Sequence, residues 1–205
     1  MKKHLLLLLA CLSIFGYSAT AQIGLKASLL SPRGDLGPIY KKGAAYEIFY
    51  VTDYYKGRLR ARLGFFHTSL EPRLDTFPAY VVKGSNTILP GFAVYDKLSM
   101  NCIYIDQSLR LLNVRNFSAY AGLGIMFGLS RSAYGRTIET LLIESNTLNN
   151  KIGGIRSNVQ AVYTIGSHVQ VFAEAMHNAI VVTDWSASYA HRTYGIGLNY
   201  RFKSN

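Results

Sequence analysis

His67, Thr68 and Ser69 form the triplet of this sequence that comes nearest to a hydrolytic site. Residues two apart on a strand share a face, so the histidine could activate the serine hydroxyl as a nucleophile toward a lipid ester. The histidine would also need a carboxylate to orient it, and Glu71 is the near one in sequence. One triplet is a weak motif, and a histidine at a membrane rim is the simpler interpretation.

Two other groups of residues could carry chemistry. His177 and His191 flank a connection that contains Asp184, but such loose spacing is more typical of solvated loop histidines than of a metal site. The segment 33–35 reads Arg-Gly-Asp, an integrin-recognition tripeptide, but the proline before it and the glycine after it favour a turn. We therefore predict no catalytic residue, no metal and no cofactor, with surface adhesion as an alternative.

The remaining candidate residues are charged and alternate with apolar ones, which requires strands to position them. Eight segments show this period of two. Each has nearly the length that a tilted membrane strand needs, and helical periodicity competes nowhere. The eight predicted strands are 22–30, 45–52, 58–68, 101–111, 117–130, 154–165, 169–178 and 194–202.

The connections between these strands alternate in length. Residues 53–57, 113–116 and 166–168 form short turns, whereas 31–44, about 70–100, 131–153 and 179–192 are long. A membrane barrel with short periplasmic turns and long extracellular loops predicts this order, and a soluble sandwich does not. The fold predicted is therefore all-β, an eight-stranded antiparallel transmembrane β-barrel.

The two faces of the strands differ in a way that places lipid outside the barrel. One face carries almost no charge, whereas the other combines Gly, Ser and Asn with charged residues. Soluble small barrels show the reverse arrangement. Eight strands enclose a space that side chains just fill, and small residues leave room there for long charged ones. The predicted lumen charges are Lys26, Glu47, Arg58, Arg60, Arg62, Asp106, Arg110, Arg156, Glu174 and Arg201.

A buried charge without a partner is costly, so Glu47, Asp106 and Glu174 are each predicted to pair with arginines. Cations outnumber acids, which places the surplus at the barrel mouths, against a partner or against an anion. A packed lumen without transport is the favoured interpretation. A small pore that prefers anions is the alternative, with Arg60 and Arg62 in its path.

The N-terminus predicts export. Lys2 and Lys3 precede an apolar run, and the Ala-Thr-Ala at 19–21 is typical of a signal-peptidase site. We interpret residues 1–21 as a signal peptide and 22–205 as the barrel. The net charge of +11 could suggest nucleic acid, but the Lys and Arg residues are scattered and the chain is exported, so no nucleic-acid partner is expected.

The second long connection is unusually apolar for a segment in water, which predicts that it packs on a partner or folds over the barrel mouth. The residues that carry this hypothesis are Phe77, Tyr80, Ile88, Leu89 and Phe92.

The signal peptide, the eight strands and the aromatic-ended Tyr-Gly-Ile-Gly-Leu-Asn-Tyr-Arg-Phe at 194–202 together resemble the small OmpA-like outer-membrane β-barrels of Gram-negative bacteria. The final strand is similar to the signal that the outer-membrane assembly machinery reads, and the His-x-Ser triplet has the spacing of outer-membrane lipid A deacylases. The resemblance implies an integral protein of the cell outer membrane, surrounded by lipids that include lipopolysaccharide. The function expected is a structural component or small subunit of a larger transport, secretion or assembly complex, with a protein partner in the membrane. A pore, a lipid A-modifying enzyme and an adhesin are the alternatives.

Overall fold

The computed structural model describes residues 20–83, 87–138, 141–182 and 188–202, and no side chains at 20, 80–89, 138–146 or 181–188. The predicted signal peptide lies outside the described residues except for Thr20 and Ala21, which begin the first strand. One short helix, α1, spans Leu36–Ile39. The strands are β1 (Thr20–Gly34), β2 (Gly43–Tyr54), β3 (Leu59–Leu70), β4 (Phe77–Lys83), β5 (Thr87–Tyr95), β6 (Leu98–Val114), β7 (Phe117–Ile138), β8 (Leu141–Ile165), β9 (Val169–Val182) and β10 (Ser188–Arg201).

Eight of these strands close into an antiparallel barrel, as the alternating sequence predicts. Around the wall the order is β1, β2, β3, β6, β7, β8, β9 and β10, and β10 pairs with β1. Closure leaves every strand of the wall with two neighbours, so the backbone polar groups are bonded within the sheet. Turns at 55–58, 115–116 and 166–168 gather at one end together with the start of β1 and the end of β10, which we call the turn end. The other end is called the loop end.

Period two separates the faces as the sequence predicts. Side chains such as Leu25, Ile105, Leu123 and Ile196 are exposed on the outer surface, whereas the alternate residues, such as Lys26, Tyr104 and Asp106, are buried in the lumen. Aromatic residues including Tyr163 and Tyr200 add to this surface toward the turn end. An apolar outer belt with aromatic edges is the surface that a hydrocarbon layer solvates. No helix among the described residues is long and apolar enough to cross a membrane.

The loop end departs from the prediction. Most of the segments 131–153 and 179–192 are strands rather than loops, because β7 and β8 pair from Ile138 and Leu141 down to the turn end. Here the strands no longer cross the apolar belt, so cross-strand bonds hold them without the alternation that marks a membrane strand. The predicted loop at 31–44 likewise contains the end of β1 and helix α1.

The second long connection also forms strands. Strands β4 and β5 make a hairpin, and β5 continues along the edge of β7 beyond the point where β6 begins, with Phe92 opposite Thr137 and Tyr95 opposite Tyr134. The hairpin therefore extends the barrel wall. We call β4, β5 and the adjoining outer parts of β7 (131–138) and β8 (141–149) the outer sheet.

Candidate functional site

The lumen buries seven of the ten predicted charges, namely Lys26, Glu47, Arg60, Arg62, Asp106, Arg156 and Glu174. The other three, Arg58, Arg110 and Arg201, lie at the turn end and are exposed or half-buried. The sequence therefore places the buried charges on the correct face of each strand.

Six of the buried charges form a closed circuit of ion pairs across the lumen, which we call the ion-pair ring. Its cations are Lys26, Arg62 and Arg156, and its acids are Glu47, Asp106 and Glu174. Lys26 Nζ lies 2.6 Å from a Glu47 oxygen and 2.5 Å from a Glu174 oxygen. Each of the six groups has one partner on either side, so the ring is neutral.

The other two cations complete the ring. Arg62 Nη2 lies 2.8 Å from Asp106 Oδ2 and 2.6 Å from Glu174 Oε1. Arg156 lies 3.2 Å from Glu47 Oε2 through Nη2 and 3.3 Å from Asp106 Oδ1 through Nε. Each of the three predicted acids thus contacts an arginine.

Strand register brings the ring together. Lys26 lies directly opposite Glu47 on the neighbouring strand, and Arg62 lies opposite Asp106. Arg156 on β8 and Glu174 on β9 then reach across the lumen to these pairs. Gly124, opposite Asp106, leaves the space that the carboxylate occupies, since a Cβ there would overlap Asp106 Oδ1.

Aromatic rings fill the space around the ring. The Arg156 guanidinium lies 3.5 Å from the centroid of Tyr104, a cation–π contact that partly replaces water. Tyr104 in turn packs where a Cβ on Gly64 would lie 2.6 Å from its ring, so a small residue on β3 accommodates a large one on β6. Phe49 and Phe172 make an edge contact at 5.8 Å between centroids.

A second polar layer closes the lumen toward the turn end. Arg60 Nε donates to Asp53 Oδ1 at 2.7 Å, and its two Nη atoms donate to Gln160 and Gln170 at 3.3 Å. The guanidinium also stacks over the Tyr120 ring at 4.2 Å. Arg60 thus spans the lumen from β3 to β8 and β9.

The loop end of the lumen is closed by an apolar cluster, which we call the outer plug. Helix α1 and the residues after it are joined to the segment that follows β3 by backbone hydrogen bonds from Lys41 to Glu71 and from Arg73 to Ile39. Burial raises the pKa of the Tyr40 phenol, which a hydrogen bond to Ser132 partly offsets. The outer plug consists of Leu30, Leu36, Tyr40, Leu70, Leu98, Met100, Ile152 and Ile180.

The candidate hydrolytic residues are arranged differently from a triad. His67 Nδ1 lies 2.8 Å from the side-chain oxygen of Asn101, an amide rather than a carboxylate. Glu71 forms an exposed ion pair with Lys97 at 2.8 Å. A serine hydrolase of this kind would need a carboxylate hydrogen-bonded to the histidine. Here His67 contacts Asn101 instead, and Glu71 pairs with Lys97.

The two histidines near the last connection face opposite sides of the wall. His191 is buried in the lumen and stacks on Phe66 at 5.7 Å, whereas His177 is exposed on the outer surface. They do not form a common ligand pair, and Asp184 lies outside the described residues. The described ranges contain no group of three His, Cys, Asp or Glu residues that could hold a metal ion.

The outer sheet presents some of the predicted loop residues. Phe77 packs edge-on against Tyr95 at 5.3 Å between centroids. Phe92 is 43 % exposed. The backbones of Tyr80, Ile88 and Leu89 lie in β4 and β5, and their side chains lie outside the described residues.

Two parts of the site have no clear signal in the sequence, namely the acid that binds Arg60 and the outer plug. Asp53 is predicted as a turn residue, yet it is the acid that pairs with Arg60. The sequence does place Phe49 and Val51 on the face of Glu47, which makes the orientation of that strand ambiguous, and the structure buries both residues in a lumen that is therefore partly apolar. The outer plug has no periodic signal because helix α1 and the strand ends contribute to it from separate connections.

Comparisons with known proteins place the chain by fold alone. No family model matches it, and no curated protein matches its sequence. Ail, the attachment invasion locus protein of Yersinia pestis, is a similar solved structure, with a TM-score of 0.53 at 11 % identity over 89 % of this chain and 98 % of that one. Neisserial surface protein A gives 0.53 at 14 % identity over 89 % and 97 %. A major outer membrane protein from Thermus thermophilus gives 0.53 at 13 % identity over 89 % and 99 %. The chain therefore has the fold of the small eight-stranded outer-membrane β-barrels.

Proposed function

We propose that this protein is a non-enzymatic component of the bacterial outer membrane that binds a protein partner through its outer sheet, as a structural component or small subunit of a larger complex. The observation that carries the proposal is the contrast between the two ends of the barrel. The lumen is closed by polar and apolar side chains, whereas the wall at the loop end continues as a sheet beyond the apolar belt.

The filled lumen disfavours the pore alternative. An ion entering from the turn end would meet the Arg60 layer, then the ion-pair ring, then the outer plug. Each ring group contacts two opposite charges, so moving one aside would leave a buried charge unpaired at a cost of about 3–5 kcal/mol. Rearrangement of all three layers is needed to open a path.

The location in the outer membrane rests on physical and structural likeness. The exposed Leu, Ile and Val side chains form a continuous apolar belt around the wall, which is unfavourable in water and favourable in the hydrocarbon layer of a membrane. The similar solved structures named above include a protein described as a major outer membrane protein. With the turns facing the periplasm, the outer sheet faces the cell exterior.

The outer sheet offers faces rather than an edge for contact. Pro78 lies in the edge strand β4 and has no N–H to donate, which blunts strand addition at that edge. Phe92 is exposed on the hairpin, and exposed aromatic residues are enriched at the centres of protein interfaces. Binding through the faces of the hairpin is therefore the mode that we propose.

Replacing residues 77–95 by a short Gly-Ser turn tests the proposal, because β4 and β5 lie outside the eight strands of the wall. The variant should still fold and shift in the heat-modifiable gel assay, but it should lose proteins that co-purify stoichiometrically with the native barrel in mild detergent. Leu74→Asp is a matched control, since Leu74 is 56 % exposed just before the hairpin. Retention of every partner by the hairpin variant would refute the proposal.

A further inference from the structure

A polar vestibule opens at the turn end of the barrel. Its volume is about 540 Å³, and residues from the turns at 55–58 and 115–116 and from the adjoining strand ends, including that of β10, line it. Four of the lining residues are cations: Lys56, Arg110, Arg115 and Arg201. Arg110 comes from β6 and Arg201 from β10, so the charges converge on this space from different sides of the barrel.

The vestibule carries an excess of positive charge. Asp53 is the one acidic residue among the described residues of its lining, and it already accepts hydrogen bonds from Arg60 and from Gln22 Nε2 at 3.0 Å. Among the described residues, no hydrogen-bond partner reaches the buried Nε of Arg201. Within the part of the lining that the structure describes, four cations therefore face one acid that already binds Arg60, which gives the vestibule a net positive potential.

The vestibule is also blind. Tyr120 and Gln170 line its inner end, and both contact Arg60, whose guanidinium bridges the lumen to Asp53. The ion-pair ring lies beyond this layer. An anion drawn in by the positive field would therefore stop here rather than pass through.

We propose that the vestibule is a binding site for a phosphate-bearing ligand. Three arginines supply planar donor pairs that match phosphate oxygens, and a dianionic group complements a four-cation site better than a single carboxylate does. The side chains of Asn113, Asn116 and Thr164 provide neutral hydrogen-bonding groups in the same lining. The ligand is either a soluble phosphorylated compound or the phosphate headgroup of a lipid.

Titration of the purified barrel with inorganic pyrophosphate, followed by calorimetry in a detergent without phosphate, tests the site. One site per chain is expected, and the double variant Arg110→Gln/Arg201→Gln should weaken binding by at least about tenfold, the loss typical of removing charge-assisted hydrogen bonds. The matched control is Lys42→Gln, an exposed cation in the connection between α1 and β2 at the loop end, which should bind as the native protein does.

Folding is checked by heat-modifiable gel migration, and only variants with the native shift are compared. Absence of pyrophosphate binding by the folded native protein would overturn the proposal, as would equal binding by the double variant. The readout uses the barrel alone, so its failure would leave partner binding through the outer sheet untouched.

Three nanodisc preparations distinguish the sources of the phosphate. In discs of digalactosyldiacylglycerol, which has no phosphate, pyrophosphate should bind as in detergent. If discs of phosphatidylglycerol weaken that binding more than discs of an equally anionic sulfolipid without phosphate do, a phosphate headgroup competes for the vestibule. Equal binding in the phosphatidylglycerol and sulfolipid discs identifies a soluble phosphorylated ligand.

Discussion

Removing one acid from the ion-pair ring should destabilise the barrel by more than any surface charge does. Glu47→Gln leaves three ring cations facing two acids, with Lys26 and Arg156 each reduced to one partner. The side chains of Lys26, Glu47 and Arg156 are no more than 1 % exposed, so water cannot compensate. Breaking a buried pair in this way costs about 3–5 kcal/mol. The exposed pair of Glu71 and Lys97 provides the control, since Glu71→Gln should cost less than about 1 kcal/mol.

The ring predicts strong coupling between its members. Lys26→Gln alone should also cost about 3–5 kcal/mol, because three acids then face two cations and Glu47 and Glu174 keep one partner each, Arg156 and Arg62. The double variant Lys26→Gln/Glu47→Gln removes one charge of each sign and leaves a neutral chain of Arg156, Asp106, Arg62 and Glu174. Its cost should fall short of the sum of the two single costs by about 2–3 kcal/mol.

Urea titration in lipid vesicles measures these free energies of unfolding, with the folded fraction read from heat-modifiable gel migration. If the ion-pair ring is closed, the double variant should cost less than the sum of the single variants, and the free energy of unfolding of Glu71→Gln should stay close to that of the native protein. Single variants that cost under about 1 kcal/mol, or costs that add, would show that the ring charges are solvated and that the lumen is not a closed polar core.

Three further predictions follow from the packing of the lumen. Gly124→Ala should destabilise the barrel by about 1–3 kcal/mol in the same titration, because the new Cβ would overlap Asp106 and lie 2.5 Å from the Ile105 carbonyl oxygen. The control Gly37→Ala, whose new Cβ would have its nearest contact at 3.6 Å, should be tolerated, and equal effects of the two substitutions would contradict the overlap. The purified protein should show no steady conductance in planar bilayers, since three layers close the lumen, and stepwise openings of the native protein would contradict that closure. Cys102, which is 1 % exposed on the lumen side, should resist a polar maleimide until urea unfolds the barrel, and rapid labelling of the folded protein would show that the lumen admits solute.

Strand alternation predicted the barrel and the side of each strand that meets lipid, because a membrane wall must present one apolar face along its whole height. The same alternation predicts that Lys26, Glu47 and Glu174 lie on the lumen face. The register between strands cannot be predicted in this way to better than a residue or two. The contacts through which Arg156 and Arg62 close the ring are therefore not predictable from the sequence.

The loop end could not be predicted because a different constraint acts there. Beyond the apolar belt, residues 131–138 continue to pair with β8, and their sequence shows no period of two. Helix α1 fills the mouth with Leu36, and a four-residue segment that itself contains Gly37 and Pro38 does not predict a helix. The sequence likewise assigns Asp53 to a turn, which does not predict its ion pair with the buried Arg60.

The central claim is that the protein works through the outer sheet rather than through its lumen. Incorporating a photo-crosslinking amino acid at Phe92 in living cells tests it most directly, with Leu74 as the exposed control position outside the hairpin. We predict a discrete crosslinked protein species at Phe92 that is absent at Leu74. Crosslinks to lipid alone, or the same pattern at both positions, would contradict the claim.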